Sequence, residues 1–207
     1  MKLKWIVLSG ASGIFAVLLA CLLSAHGGNA ISSTPFLALS GVPVPEIPAK
    51  AADLVHAASA SNRDQTAQEV LRAVSMIARP GVLPYVVSAI CRGDPEAAAS
   101  VVATAVKLQP EDVLVFSRAA LCAAPGQVEQ VVFSACKSAP DSCANVALAA
   151  FRQLPAAKSL IRAGLAGARP DLELYLEEAE QADTNDFEAV IQQAVQLFNN
   201  ASRAQAK

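Results

Sequence analysis

Residues 125–155, PGQVEQVVFSACKSAPDSCANVALAAFRQLP, carry three prolines spaced fifteen residues apart. With each proline counted as the first place of a unit, the apolar residues fall at the fourth, seventh, eighth, eleventh and twelfth places. They are Val128, Val131, Val132, Ala135 and Cys136 in one unit, and Cys143, Val146, Ala147, Ala150 and Phe151 in the next. That is the stripe of an amphipathic helix with a 3.6-residue period, and strand alternation is absent. Proline suits the first position of a helix, where its missing N–H removes no bond and its φ is preset. Each proline therefore opens a helix.

Outward from this stretch the spacing holds. Pro80, Pro95, Pro110, Pro125, Pro140, Pro155 and Pro170 keep the interval of fifteen, and after Pro48 only Pro84 is out of register. The unit at Pro80 repeats the stripe with Leu83, Val86, Val87, Ile90 and Cys91. Acids sit in first turns (Glu96, Glu111, Asp112, Asp141, Asp171) and bases near the ends (Arg92, Lys107, Lys137, Arg152). Both placements match the helix macrodipole.

A unit of this length holds a helix of about twelve residues, ~18 Å long, and a turn of about three. A helix so short is marginal alone and must bury its stripe against neighbours. Turns so short make successive helices antiparallel. The expected fold is all-α: an α-solenoid of short antiparallel helices, two units forming a thirty-residue hairpin. The architecture resembles helical repeat proteins in general. Its hairpin is shorter than tetratricopeptide or ankyrin units, and the Asp-x-x-Val-Arg pattern of the short HEAT-like units of bilin lyases is absent. The resemblance therefore carries no function.

The array extends past the prolines. Asp64 is expected to cap a helix through Val70, Leu71, Val74 and Ile77. Asn185, fifteen residues after Pro170, is expected to cap a helix carrying Phe187, Val190, Ile191, Val195 and Phe198, with Glu188 completing a capping box. A short helix over about Pro48–Ala58 closes the N-terminal end. The repeat domain then covers residues 50–199, followed by a polar tail, 200–207. Residues 31–49, with Pro35, Pro43, Pro45 and Pro48, read as an extended linker.

Residues 1–30 read as a signal peptide. Lys2 and Lys4 form a positive start, an apolar run continues from Ile14 to Ala25, and Gly28-Asn29-Ala30 supplies a cleavage site. Two alternatives stand beside cleavage after Ala30. Leu18-Leu19-Ala20-Cys21 matches a lipobox that would lipidate Cys21, and residues 5–25 together could span a bilayer as an uncleaved anchor. The chain is expected to be exported, periplasmic or extracellular, with a membrane-anchored lipoprotein as the alternative. Membrane contact would come only through the N-terminal segment.

Export gives the remaining cysteines, Cys91, Cys122, Cys136 and Cys143, an oxidising compartment. Cys136 and Cys143 lie equally far from the turn between their helices, which predicts a Cys136–Cys143 disulfide. Cys91 and Cys122 share the other edge and form the second predicted pair.

Composition narrows the function. Hydrophobic residues make up 54% of the chain and charged residues 16%, and the formal net charge of −2 lacks the basic signature of nucleic-acid binding. His56 is the single histidine after the leader, and neither a nucleophile turn nor a phosphate-binding glycine loop is present. No catalytic group, metal site or cofactor is expected. Between Pro170 and Glu188 the acids, including Asp171, Glu173, Glu177, Glu178 and Glu180, have no base among them. This is a candidate acidic interaction surface, or the polar cap that a solenoid end requires. The expected function is a non-enzymatic binding or scaffold module of the cell envelope with a protein partner. The alternatives are a structural envelope protein tethered through Cys21, and an enzyme whose site uses His56 or the acidic cluster.

Overall fold

Along most of the chain a single extended residue separates one helix from the next. In a computed structural model, residues 33–77, 81–182 and 186–205 are described, all within one unit spanning Ser32–Lys207. The leader, with Cys21 and the cleavage sites, lies outside the described residues. Eleven α-helices occur among those described: α1 (Ser33–Ser40), α2 (Ile47–Ala57), α3 (Arg63–Ile77), α4 (Leu83–Gly93), α5 (Ala98–Leu108), α6 (Val113–Ala123), α7 (Val128–Ser138), α8 (Cys143–Gln153), α9 (Lys158–Ala168), α10 (Glu173–Ala182) and α11 (Phe187–Gln205). No strand is present among these residues.

From Pro95 onward the prolines begin each unit, but they open a single 3-10 turn rather than the α-helix itself; Pro80 lies outside the described residues. Pro95–Ala97, Pro110–Asp112, Pro125–Gln127, Pro140–Ser142, Pro155–Ala157 and Pro170–Leu172 are such turns, each running straight into the helix that follows. Three residues of 3-10 turn, eleven of α-helix and one extended residue make up the unit through α9. The joint is thus shorter than the three-residue turn expected.

The joint residues are Asp94, Gln109, Ala124, Ala139, Leu154 and Arg169. Their φ lies between −142° and −132° and their ψ between 68° and 86°. The following proline's Cδ excludes the α region from the residue before it, which fixes the break. That residue serves both helices. The Ala124 N–H donates to the Ala120 carbonyl at 2.8 Å, and the Ala124 carbonyl accepts from the Gln127 N–H at 3.0 Å. Leu154 repeats the pattern at 2.8 and 3.0 Å. The joint residue's own N–H and C=O are thus both used, with no side-chain cap on either helix.

Helices two apart in sequence stack on one another: α2 on α4, α4 on α6 and α6 on α8 form one row, and α3, α5, α7 and α9 form the other. The core lies between the rows. It is built from the predicted stripe, including Val86, Val101, Phe116, Val131, Val146 and Ile161, all fully buried. Burial of each valine- to phenylalanine-sized side chain stabilises the fold by about 1.5–3 kcal/mol. Ser117, 1% exposed, donates its hydroxyl to the Val113 carbonyl at 2.7 Å, so the one deeply buried hydroxyl of α6 is satisfied.

Four differences from the expected layout have local causes. The stretch 31–49 is not an extended linker throughout, because α1 occupies Ser33–Ser40 and sends Leu39 into the core, 1% exposed. Pro35, Pro45 and Pro48 occupy first-turn positions, where proline is tolerated. Asp64 is not a cap but lies within the first turn of α3, where its carboxylate accepts from the Ser100 hydroxyl of α5 at 2.7 Å. The cap of α11 is Asp186, which accepts from the Glu188 and Ala189 N–H groups at 3.0 and 3.3 Å, while Asn185 lies outside the described residues. Finally, α11 continues through Gln205, into the segment expected to be a tail.

At the C-terminal end α11 packs against both α8 and α10. Phe187 meets Phe151 edge to face with ring centroids 5.0 Å apart, and Phe198 meets Tyr175 at 6.0 Å. Arg152 pairs with Glu188 across the same contact.

Candidate functional site

Two features stand apart from the packed array: a groove near its N-terminal end and a thiol pair near its C-terminal end. The groove runs between α2 and α4 and has a volume of about 810 Å³. Its walls are Val44, Pro45 and Pro48 on one side and Tyr85, Ala89 and Arg92 on the other. It exists because small residues meet there. Ala49 and Ala89 leave space between stacked helices, and a Cβ added to Gly93 would have nothing within 4 Å.

Tyr85 is 70% exposed and Val44 44%, so the groove carries apolar surface that the fold does not cover. Tyr85 falls at the sixth place of its unit. Val115, 47% exposed, falls at the same place two units on, in the stacked helix α6. Arg92 adds an exposed cation at the groove's end. The arrangement offers an apolar slot, an aromatic ring and one positive charge, which suits a binding surface.

The four described cysteines are free thiols. The predicted Cys136–Cys143 disulfide is not formed, although the two residues are neighbours. The Cys143 thiol lies 3.4 Å from the Cys136 carbonyl, and the Cys136 thiol 3.8 Å from the Cys143 carbonyl. Cys143 is the first residue of α8, and Cys136 lies in the last turn of α7, so the helix dipoles act on them in opposite senses. The hydrogen bond from Cys136 and the Arg169 guanidinium hold the Cys143 thiol below its ordinary pKa. The same hydrogen bond, with burial, pushes Cys136 up.

Arg169 is fixed from three sides. It donates to Asp171 through Nε and Nη2 at 2.9 and 2.7 Å, and to the Pro140 carbonyl through Nη1 at 3.2 Å, and it stacks over the Phe198 ring at 5.1 Å. A cleft of about 190 Å³, bounded by Cys143, Pro140, Arg169, Val195 and Phe198, opens beside the thiol.

The structure does not bring the other expected pair together in this way. Cys91 is fully buried, and burial with Asp94 nearby pushes its thiol up to about 12. Cys122 is exposed on α6 and accepts a hydrogen bond from Gln153 Nε2 at 2.9 Å.

The acidic residues are dispersed among several tasks. Asp171 is held by Arg169, which keeps its carboxyl below the usual range. Asp186 caps α11, and Glu188 pairs with Arg152. Glu173, Glu177 and Glu178 are exposed on α10. Glu180 belongs to the same helix, but its side chain is outside the description, as is Asp183. His56 is exposed in the last turn of α2 and is not part of the groove lining. Among the described residues no group of three or more His, Cys, Asp or Glu side chains is placed to hold a metal ion, and no helix is long and apolar enough to cross a membrane.

No signal in the sequence pointed to the groove, since its residues come from two helices thirty-odd positions apart. The Arg169 contact was equally hidden, although Arg169 as a joint residue beside Pro170 is visible once the unit is known. No family model, curated protein or solved structure matches the chain.

Proposed function

We propose that the chain is an exported, non-enzymatic binding or scaffold module of the cell envelope, and that the α2–α4 groove receives a segment of a partner protein. The observation that carries this reading is the groove itself: about 810 Å³ of mostly uncharged lining with Tyr85 standing 70% exposed beside it. A monomeric fold with no use for that surface has little reason to leave an aromatic ring in water. Arg92 favours a segment whose apolar residues are accompanied by an acidic one. Export rests on the leader at residues 1–30. In that compartment a Cys136–Cys143 bridge would staple α7 to α8, contributing about 2 kcal/mol by restricting the unfolded chain. The placement of Cys91 and Cys122 gives no comparable support to a second bridge.

A photoreactive residue substituted for Ala89 tests the reading in cells producing the whole chain with its leader. Crosslinks to an exported protein from position 89, and none from position 160 on α9, are the expected result. Equal crosslinking from both positions, or none from either, contradicts it. The intact mass of the recovered chain separates cleavage after Ala30 from lipidation at Cys21.

A further inference from the structure

The thiol pair is more than a candidate staple. A structural bridge needs two sulfurs within reach and nothing else. Here Cys143 begins a helix and lines a cleft together with the fixed Arg169, while Cys136 is wholly buried and does not line it. This asymmetry is what a reactive dithiol requires: an attacking sulfur whose negative charge is stabilised, and a resolving sulfur held next to it.

We propose that Cys136 and Cys143 form a dithiol that reduces small hydroperoxides, with Cys143 as the attacking sulfur and Cys136 as the resolving one. The inference goes beyond the groove's binding role: it describes one stoichiometric oxidation per chain, which leaves the non-enzymatic reading in place, and it rests on the two sulfurs being able to bridge.

The size of the entrance selects the class of oxidant. Cys143 is 2% exposed, and its cleft of about 190 Å³ is walled by Val195 and Phe198 of α11. A disulfide carried by a partner protein could not reach a sulfur so placed, whereas hydrogen peroxide or a small alkyl hydroperoxide could. In the first step the Cys143 thiolate attacks the terminal oxygen of the hydroperoxide. An S–O bond forms, the O–O bond breaks, and the leaving oxygen takes a proton and departs as water or alcohol. Arg169, whose guanidinium is oriented by Asp171 and the Pro140 carbonyl, stabilises both the thiolate and the charge building on that oxygen. In the second step Cys136 attacks the Cys143 sulfenic acid, an S–S bond forms, and water leaves with the Cys136 proton. Two thiols are oxidised by two electrons and one hydroperoxide is reduced. Of the two thiols left out of this scheme, Cys91 is fully buried and Cys122 is the most exposed of the four, yet Cys143 is predicted to react faster than Cys122.

The full chain carrying Cys122→Ser, treated with hydrogen peroxide and mapped by proteolysis and mass spectrometry, tests the proposal. Cleavage after Lys137 separates Cys136 from Cys143, so a bridge joins two peptides. The expected results are a Cys136–Cys143 bridge, a dimedone-trapped sulfenic acid on Cys143 in the added presence of Cys136→Ser, and no oxidation of Cys136 when Cys143→Ser is present. In the unsubstituted chain, Cys143 should react at least about ten-fold faster than Cys122; that time course needs no variant and remains decisive should either serine variant fail to fold. Bridging by diamide without faster reaction of Cys143 towards peroxide overturns the proposal and leaves the staple standing. Absence of a bridge even with diamide overturns both.

Discussion

A Cβ placed on Gly164 would lie 2.5 Å from the carbonyl oxygen of Glu129, and 3.1 Å from the Val132 Cβ. Gly164 is therefore where α9 seats its backbone directly on α7. The obstacle is a backbone oxygen, which cannot swing aside as a side chain could. Gly164→Ala is expected to destabilise the protein by about 1–3 kcal/mol, since added volume here forces the two helices apart. Gly167→Ala, one turn on, meets only the Phe133 ring at 3.4 Å. It is expected to be neutral or to stabilise by up to about 1 kcal/mol through helix propensity. Urea unfolding of the two variants measures the contrast, and equal effects would remove the argument from close packing.

The unit length makes a prediction about deletions. Removal of Pro95–Ala124, two whole units, joins Asp94 to Pro125 and preserves both rows of the array. This shortened chain is expected to keep its helicity per residue and to unfold in one transition. Removal of Pro95–Ser117 cuts within α6 and shifts every later stripe off its row. It is expected to lose cooperative unfolding, as circular dichroism during a thermal scan would record.

These two predictions draw on what the sequence made legible. Seven prolines disclosed the unit because each excludes the α region from the residue before it, at whatever depth the neighbouring residues lie. The stripe of Val131, Val132 and Ala135 gave the buried face by periodicity alone. The same logic misread Pro35, Pro45 and Pro48, for a proline in the first turn of a helix has no sequence neighbour that distinguishes it from one in an extended linker. The caps went astray for a related reason. Asp64 and Asn185 had the right chemistry, but Asp64 faces Ser100 of the next stacked helix and Asp186 takes the capping position.

The site was legible only where symmetry about a turn revealed it. Cys136 and Cys143 lie at equal distances from the Ala139–Pro140 bond, so antiparallel helices make them neighbours, although both remain free thiols. Cys91 and Cys122 occupy places twelve and thirteen of their units. One helical step of about 100° separates those places, which turns Cys91 into the core and Cys122 towards solvent. The groove depends on absent side chains, at Ala49, Ala89 and Gly93, on helices that meet only through stacking.

The raised thiol of Cys91 makes stability depend on alkaline pH. The folded protein holds the proton to about 12, whereas the unfolded chain releases it near 9.0. The unfolded state therefore binds fewer protons between those values, and stability present below pH 9 is lost as pH rises towards 12. The limiting loss is about 1.4 kcal/mol per pH unit. Urea unfolding at pH 8, 9 and 10 is expected to show a steeper decline for the native sequence than for Cys91→Ala. Parallel declines would mean that Cys91 is not held neutral by burial.

The groove supplies the test closest to the functional claim. A random peptide library is selected on the immobilised full-length chain, and the enriched peptides are then measured against Gly93→Phe, which adds a ring to the groove lining at a position where a Cβ would meet nothing within 4 Å, and against Glu177→Gln on the acidic helix α10. The account predicts peptides with apolar residues and an acid that bind the native chain, lose at least about ten-fold in affinity, or about 1.4 kcal/mol, on Gly93→Phe, and are unaffected by Glu177→Gln. Peptides that bind Gly93→Phe as tightly as the native chain, or that depend instead on Glu177, would contradict the assignment of the α2–α4 groove as the surface through which this array recognises its partner.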